Sequence, residues 1–262
     1  MWPTLWALWD AAMGVPPMWI LTVFVLGVVL MRSAGCVIND YADRHWDGAV
    51  ERTQNRPLVT GQVTEKQALW LFAGLCAVAF GLVLTLNVLT IQLSFAALAL
   101  ATVYPFTKRV THLPQFVLGA AFSFAIPMAY AAILGDVPMQ AWILFGANLA
   151  WTVAYDTEYA MVDRADDVEV GIKSTAILFG RFDIAMIALL QTITLALLAT
   201  FCFVLDYMWF ASVVLILVGL MFIHQLWRIR NRDRAHCFAA FRANNRVGMV
   251  ITVGFIASIY WS

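Results

Sequence analysis

Charge is scarce in this chain. Asp, Glu, Lys and Arg make up only 12% of its 262 residues, about half the share of an ordinary soluble domain. The 16 basic and 16 acidic residues cancel. No extended basic face is left, so no nucleic-acid partner is expected. Cysteine and histidine are few, four of each. Cys36, Cys76, Cys202 and Cys237 form no CxxC pair, and His45, His112, His224 and His236 are scattered. That excludes zinc-type spacing and leaves the cysteines as small apolar fillers. There is no GxGxxG, P-loop or Ser-His-Asp signature. The opening run has no basic region before it, so no cleavable signal peptide is expected.

Apolar residues dominate instead, at 63%, and the mean hydropathy is +0.81. A helix needs about 20 apolar residues to cross hydrocarbon. Complete spans are expected near 18–38, 66–86, 88–107, 113–134, 139–162, 182–205, 207–227 and 246–262. Residues 1–12 are too few to cross alone and resemble the second half of a span. The expected fold is an all-α, polytopic transmembrane helix bundle of about nine spans, the first incomplete, forming one domain over 1–262. Short links at 14–17, Asn87, 135–138 and Asp206 carry no Lys or Arg. The basic residues lie at or near the polar loops 39–65, 108–112, 163–181 and 228–245. The positive-inside rule places those loops in the cytoplasm. Trp2, Trp6, Trp9, Trp19, Trp142, Trp209 and Trp261 are expected at the opposite interface. Arg228, Arg230, Arg232 and Arg234 read as a loop beside anionic lipid.

Against this background two acidic clusters stand out. One runs from Asn39 to Asp47 and the other from Asp156 to Asp167, each directly after a long apolar run. An ionised carboxylate near hydrocarbon costs at least about 2.5–3.5 kcal/mol, so such groups mark function more often than chance. Residues four apart share a helical face, which aligns Asn39, Asp43 and Asp47, and likewise Tyr159, Asp163 and Asp167. A solvated loop paired with Arg44 and Arg52 would explain one cluster alone, but not two with the same spacing. Like charges so placed repel unless a cation lies between them. Carboxylates of this kind suit Mg²⁺, which binds through one or two carboxylates plus substrate phosphates. Arg56, Lys108, Arg109 and Lys173 lie in the same loops and could hold remaining phosphate oxygens. The positive-inside rule alone would also put them there. The repeated spacing suggests two related half-bundles, about 1–110 and 111–262, meeting at one cavity. Transporters use repeats in the same way; here the acids gather at one membrane face with basic company, which favours a diphosphate-handling enzyme.

The pattern Asn39-xxx-Asp43-xxx-Asp47, the run Tyr155-Asp156-xx-Tyr159-xxx-Asp163-Arg-x-Asp-Asp167, and the links Asn55-Arg-Pro-Leu, Tyr104-Pro-x-x-Lys108-Arg109 and Gly171-Ile-Lys-Ser-Thr resemble the UbiA superfamily of intramembrane aromatic prenyltransferases. The likeness covers nearly the whole chain. The wording of Tyr155–Asp163 and Gly171–Gly180 favours the branch that prenylates 4-hydroxybenzoate in ubiquinone biosynthesis. The resemblance implies a polyprenyl diphosphate donor and Mg²⁺ held by Asn39, Asp43, Asp47, Asp163 and Asp167. Arg56, Lys108, Lys173 and Tyr159 would bind substrate. Asp156 would orient or deprotonate the phenol, or else be structural. Either Arg44 or Arg109 would pair with the benzoate carboxylate. The expected setting is the bacterial inner membrane, in contact with lipid and with later ubiquinone-pathway enzymes. Other acceptors of the superfamily, such as a naphthoate, a haem or a tetrapyrrole, stay open. Family members begin upstream with an Arg-x-Asp-Lys-Pro segment, whereas Met1 falls inside the first span here. The expectation is therefore a late or truncated start.

Overall fold

The computed structural model describes residues 1–49 and 53–261. Eleven α-helices and no β-strand occur among them. They are α1 (Trp2–Ala12), α2 (Met18–Asp43), α3 (Glu65–Val83), α4 (Val88–Thr107), α5 (Pro114–Ser123), α6 (Ala125–Leu134), α7 (Met139–Val170), α8 (Thr175–Phe179), α9 (Asp183–Val204), α10 (Met208–Ile229) and α11 (Arg234–Trp261). Short 3-10 turns cover Asp47–Ala49 and Gly180–Phe182. Six described helical segments are long and apolar enough to cross a membrane. Helices α7 and α11 are as long, at 32 and 28 residues, but carry charge. The chain is a multi-pass membrane protein.

Local chemistry sets the helix ends. The Thr64 hydroxyl accepts from the Gln67 backbone N–H while the Gln67 side chain accepts from that of Thr64, a reciprocal cap that starts α3. Asn87 caps α4 by accepting from the Thr90 N–H at 3.0 Å. Helices α5 and α6 are two halves of one span that breaks at Phe124, three residues before Pro127, whose ring cannot donate to the helix ladder. Helix α7 stops at Gly171, whose φ of 76° is a left-handed conformation that glycine adopts without strain.

Helix α7 is the central post, packed against α5, α6, α9 and α11. At 1.5 Å per residue it is about 48 Å long, against about 30 Å of hydrocarbon. Its surplus length carries the second acidic cluster to one membrane face. Helix α2 does the same for the first cluster. The two helices therefore run to Val170 and Asp43, past the expected span ends at 162 and 38. The last span likewise begins at Arg234, not 246, so the expected loop 228–245 shrinks to a turn. Hydropathy ends a span at its first charges. These helices continue through theirs because the polar side chains face partners or an internal cavity.

The tryptophans of α1 also depart from expectation. Trp6 is buried in the core, stacked on Trp151 at 5.6 Å, and its indole N–H donates to the Thr252 hydroxyl at 2.7 Å. The Trp2 indole N–H donates to Asn245 at 2.9 Å. Its ring fits because residue 248 is glycine: a Cβ there would come within 2.3 Å of it. Helix α1 is thus a buried strut against α6 and α11, not an interfacial belt. Trp19 and Trp142 remain exposed. The side chains of Trp209 and Trp261 lie outside the described residues.

Candidate active site

A cavity of about 1350 Å³ opens between the helices and collects residues from both acidic clusters. Its polar end is lined by Asn39, Asp40, Asp43, Asp47, Asp163 and Asp167, with Arg56, Lys108, Tyr159 and Lys173 among them. The first cluster is not one continuous helical stripe. Asn39 and Asp43 lie on the last turns of α2, whereas Asp47 lies on the following 3-10 turn. That turn still brings Asp47 into the cavity wall, and it is only 5% exposed. The second cluster keeps its stripe: Tyr159, Asp163 and Asp167 share one face of α7, and all three line the cavity.

Two cations are clamped onto the first cluster. Lys108, just past the end of α4, donates through Nζ to Asn39 Oδ1 at 2.9 Å and to Asp43 Oδ2 at 2.8 Å. Arg56 donates through Nη1 to Asp47 Oδ2 at 2.6 Å and pairs with Asp40 at 3.0 Å. Burial pushes the Asp47 carboxyl above its ordinary range, against the pull of Arg56, and the neighbouring Asp43 adds to the rise. The backbone N–H of Lys173 donates to the Lys108 carbonyl at 2.9 Å, which ties the loop after the second cluster to the end of α4. On the far side of α7, Arg164 and Arg232 both pair with the fully buried Asp183, at 3.0 and 2.8 Å, and Arg234 holds Asp166 at 2.6 Å. Those pairs hold Arg164 and Asp166 of the second cluster away from the cavity.

Deeper in, the lining divides. One wall is aromatic and polar, with Arg32, Asn148, Trp151, Tyr155, Asp156 and Asn245. The other, from α2, α3 and α4, is apolar, with Val28, Ala79, Phe80, Val83, Phe95 and Leu98. Behind the aromatic wall, Trp151 Nε1–H donates to Asn244 Oδ1 at 2.8 Å, and Asn244 Nδ2 donates to Glu158 Oε2 at 3.0 Å. This chain fixes α11 against α7, so that Phe241 lies 4.8 Å from the Tyr159 ring and faces the cavity.

The UbiA prenyltransferase family profile matches residues 1–252. The chain belongs to the UbiA prenyltransferase family. It is 59% identical over 260 residues to the 4-hydroxybenzoate octaprenyltransferase of Chromohalobacter salexigens, covering 99% of this chain and 87% of that protein. The apo structure of a UbiA homologue from Aeropyrum pernix K1 superposes with a TM-score of 0.85 at 25% identity, over 98% of this chain and 97% of that one. A UbiA homologue from Archaeoglobus fulgidus, bound to GPP and Mg²⁺, shares the fold with a TM-score of 0.74 at 17% identity, over 99% and 96% of the two chains.

Within this UbiA-family cavity two expected residues are missing. Arg44 turns outward: its Nε pairs with Glu65 at 2.9 Å, its guanidinium covers Tyr41 at 4.2 Å, and it borders a separate small surface cleft. Arg109 donates to the Ala42 carbonyl and covers the Trp46 ring at 4.4 Å, bracing the end of α2. Neither lines the cavity, because each guanidinium is consumed by a local carboxylate, carbonyl or ring. Arg52 lies outside the described residues. Asp156 does line the cavity, and its carboxyl makes no hydrogen bond or ion pair with the described residues. Sequence reading missed Arg32. It sits within α2, two helical turns before Asn39, lines the cavity and meets no acid within ion-pair distance among the described residues; a Phe122 ring lies 6.0 Å away. A lone arginine inside an apolar span was the available signal. Arg242 and Asn245 on α11 were missed because the sequence pattern put them in a loop.

Proposed function

We propose that this chain transfers a polyprenyl group from a polyprenyl diphosphate to the ring of 4-hydroxybenzoate, ortho to the hydroxyl, releasing diphosphate. One observation carries the reading. A single cavity joins an acid-and-cation end to an aromatic, arginine-bearing wall and an apolar wall, which matches the diphosphate, the hydroxybenzoate and the polyprenyl tail. The name and high identity of the curated relative support the acceptor.

The donor set suits Mg²⁺. All of its candidate ligands are oxygens, from Asn39, Asp43, Asp47, Asp163 and Asp167, and they line one wall. No three carboxylates cluster closely enough to cage a metal by themselves among the described residues. That fits an ion held by one or two carboxylates plus substrate phosphate. When bound, Mg²⁺ supplies charge neutralisation for the leaving diphosphate.

The chain's own groups do the rest. Lys108, Arg56 and Lys173 hold diphosphate oxygens and stabilise the negative charge that grows as the allylic C–O bond breaks with both electrons going to oxygen. The apolar and aromatic walls exclude water from the allylic cation. Tyr155, Tyr159 and Phe241 present π faces to it. Arg32 pairs with the benzoate carboxylate, the role that Arg44 and Arg109 are too engaged to take. Asp156 accepts a hydrogen bond from the phenol, which enriches the ortho carbon. That carbon forms the new C–C bond with the allylic cation and gives its proton to an oxygen of the departing diphosphate, restoring the aromatic ring. The two motifs come from the half-bundles 1–110 and 111–262. The basic residues near the site support a cytoplasm-facing cavity in a bacterial inner membrane. The product stays in the membrane, where contact with later ubiquinone-pathway enzymes completes this reading.

Prenyl transfer in membranes tests it, with 4-hydroxybenzoate, a polyprenyl diphosphate and Mg²⁺. Product that requires Mg²⁺ and disappears in Asp43→Ala is expected. Arg32→Met should raise the KM for 4-hydroxybenzoate while leaving that for the diphosphate in place. Product from a naphthoate alone would overturn the acceptor assignment.

A further inference from the structure

The four arginines at the junction of α10 and α11, Arg228, Arg230, Arg232 and Arg234, divide into two pairs. Arg232 donates to Asp183 from Nε at 3.0 Å and from Nη2 at 2.8 Å, and Arg234 is held by Asp166. Arg228 and Arg230 pair with no acid among the described residues. The one acid in that turn, Asp233, faces His236 at 3.1 Å. Arg230 instead lies over the Trp227 ring at 4.5 Å, and Trp227 is 58% exposed. A matching pair stands at the start of α9, where Arg181 lies over Phe182 at 4.7 Å and Phe182 is 57% exposed. Arg181 also has no acid partner among the described residues. Arg232 joins the two pairs, since its Nη2 donates to the Arg181 carbonyl at 3.1 Å.

Position gives these pairs a meaning. Trp227 ends a stripe of exposed apolar side chains on α10 that includes Val213, Ile216, Leu220 and Ile223. Phe182 precedes a similar stripe on α9, with Leu189 and Ile193. Those stripes face lipid chains, so both aromatic rings lie where chains give way to headgroups. A guanidinium held over such a ring is oriented and partly desolvated, and its planar fork matches phosphate oxygens. None of these residues lines the cavity.

We propose that Arg181 and Arg230, set on Phe182 and Trp227, form with Arg228, the residue after Trp227, a binding site for the headgroup phosphate of an anionic phospholipid. Arg232 is its frame: it is neutralised by Asp183 and fixes the spacing of the two pairs.

Native mass spectrometry of the full chain, with added phosphatidylglycerol or phosphatidylcholine, tests this. Selective retention of phosphatidylglycerol is expected. Each of Arg181→Gln, Arg228→Gln and Arg230→Gln should weaken it roughly fivefold, with phosphatidylcholine unaffected and Mg²⁺-dependent polyprenyl diphosphate binding unchanged. Equal retention of the two lipids, or a triple variant that keeps phosphatidylglycerol, would overturn the proposal. So would displacement by inorganic phosphate at matching concentration, which would point to a free-anion site. If the triple variant does not fold, melting of the unsubstituted protein decides: a higher Tm in phosphatidylglycerol nanodiscs than in phosphatidylcholine supports the site, and equal values overturn it.

Discussion

The two acidic clusters share a spacing but handle charge in opposite ways. In the first, two cations from other elements point inward while Arg44 turns outward: Lys108 holds Asn39 and Asp43, and Arg56 holds Asp47, all in the cavity wall. In the second, Lys173 in the following loop lines the cavity, but the arginines point outward. Arg164 goes to Asp183 behind α7 and Arg234 to Asp166, while Asp167 pairs with no Lys or Arg among the described residues. Each cluster keeps its own arginine, Arg44 or Arg164, for structure; the difference is that the first also has Lys108 and Arg56 held against it in the cavity wall. A diphosphate bridging the two would take its direct cationic contacts mainly from the first side. The second side would engage it mainly through whatever cation the carboxylates hold.

This contrast predicts graded outcomes. The largest loss belongs to the carboxylates themselves: Asp43→Ala or Asp163→Ala should each lower turnover about a thousandfold, as removal of a main electrostatic group does. If Asp163→Ala stays near full activity, the second cluster is not part of the reacting centre. Next comes Lys108→Met, which should cost about a hundredfold and weaken diphosphate binding. Arg164→Met, although it lies beside Asp163, should leave turnover within a few-fold. Its cost falls on folding, about 1–3 kcal/mol for leaving the buried Asp183 short of a partner, read as a lower melting temperature in detergent. If Arg164→Met abolishes turnover without loss of stability, the inward and outward assignment is wrong.

Much of this was legible from residue order. Long apolar runs fixed the helical class, and two like-spaced clusters located the cavity's acid end. The misread span ends have one physical origin. Hydropathy treats a charge as the end of a span, but a helix continues when its charges face a cavity or a partner, as α7 does through Asp163 to Val170 and α11 does from Arg234. The same blindness hid Arg32 and placed Arg242 in a loop. Arg44 and Arg109 were indistinguishable from Lys108 by sequence. Only the packing shows that Glu65 and Tyr41 occupy the first and Trp46 and the Ala42 carbonyl the second. Trp6 read as interfacial because composition does not say which way a half-length helix turns.

The smallest expected effect concerns Asp47, where folding and function pull apart. Burial raises its pKa, so the metal-free folded protein disfavours the ionised form. The sign follows from linkage: a carboxyl with a raised folded-state pKa binds protons more tightly folded than unfolded. Stability from this group is present below the ordinary carboxylate value and is lost as pH rises through the raised one. Ionised Asp47 is therefore a net cost to the metal-free fold at neutral pH. Asp47→Asn should remove that cost and raise the metal-free melting temperature slightly at pH 7, while making little difference at pH 4. Arg56 keeps Asp40 as a partner at 3.0 Å, so the substitution does not strand its charge. With Mg²⁺ and a polyprenyl diphosphate present the order should reverse, because an ionised carboxylate gains more from the bound cation than a neutral amide does. If Asp47→Asn melts lower than the unsubstituted protein both with and without Mg²⁺, the Arg56 pair outweighs burial. The first cluster would then be a structural clamp at this position rather than a strained ligand awaiting charge.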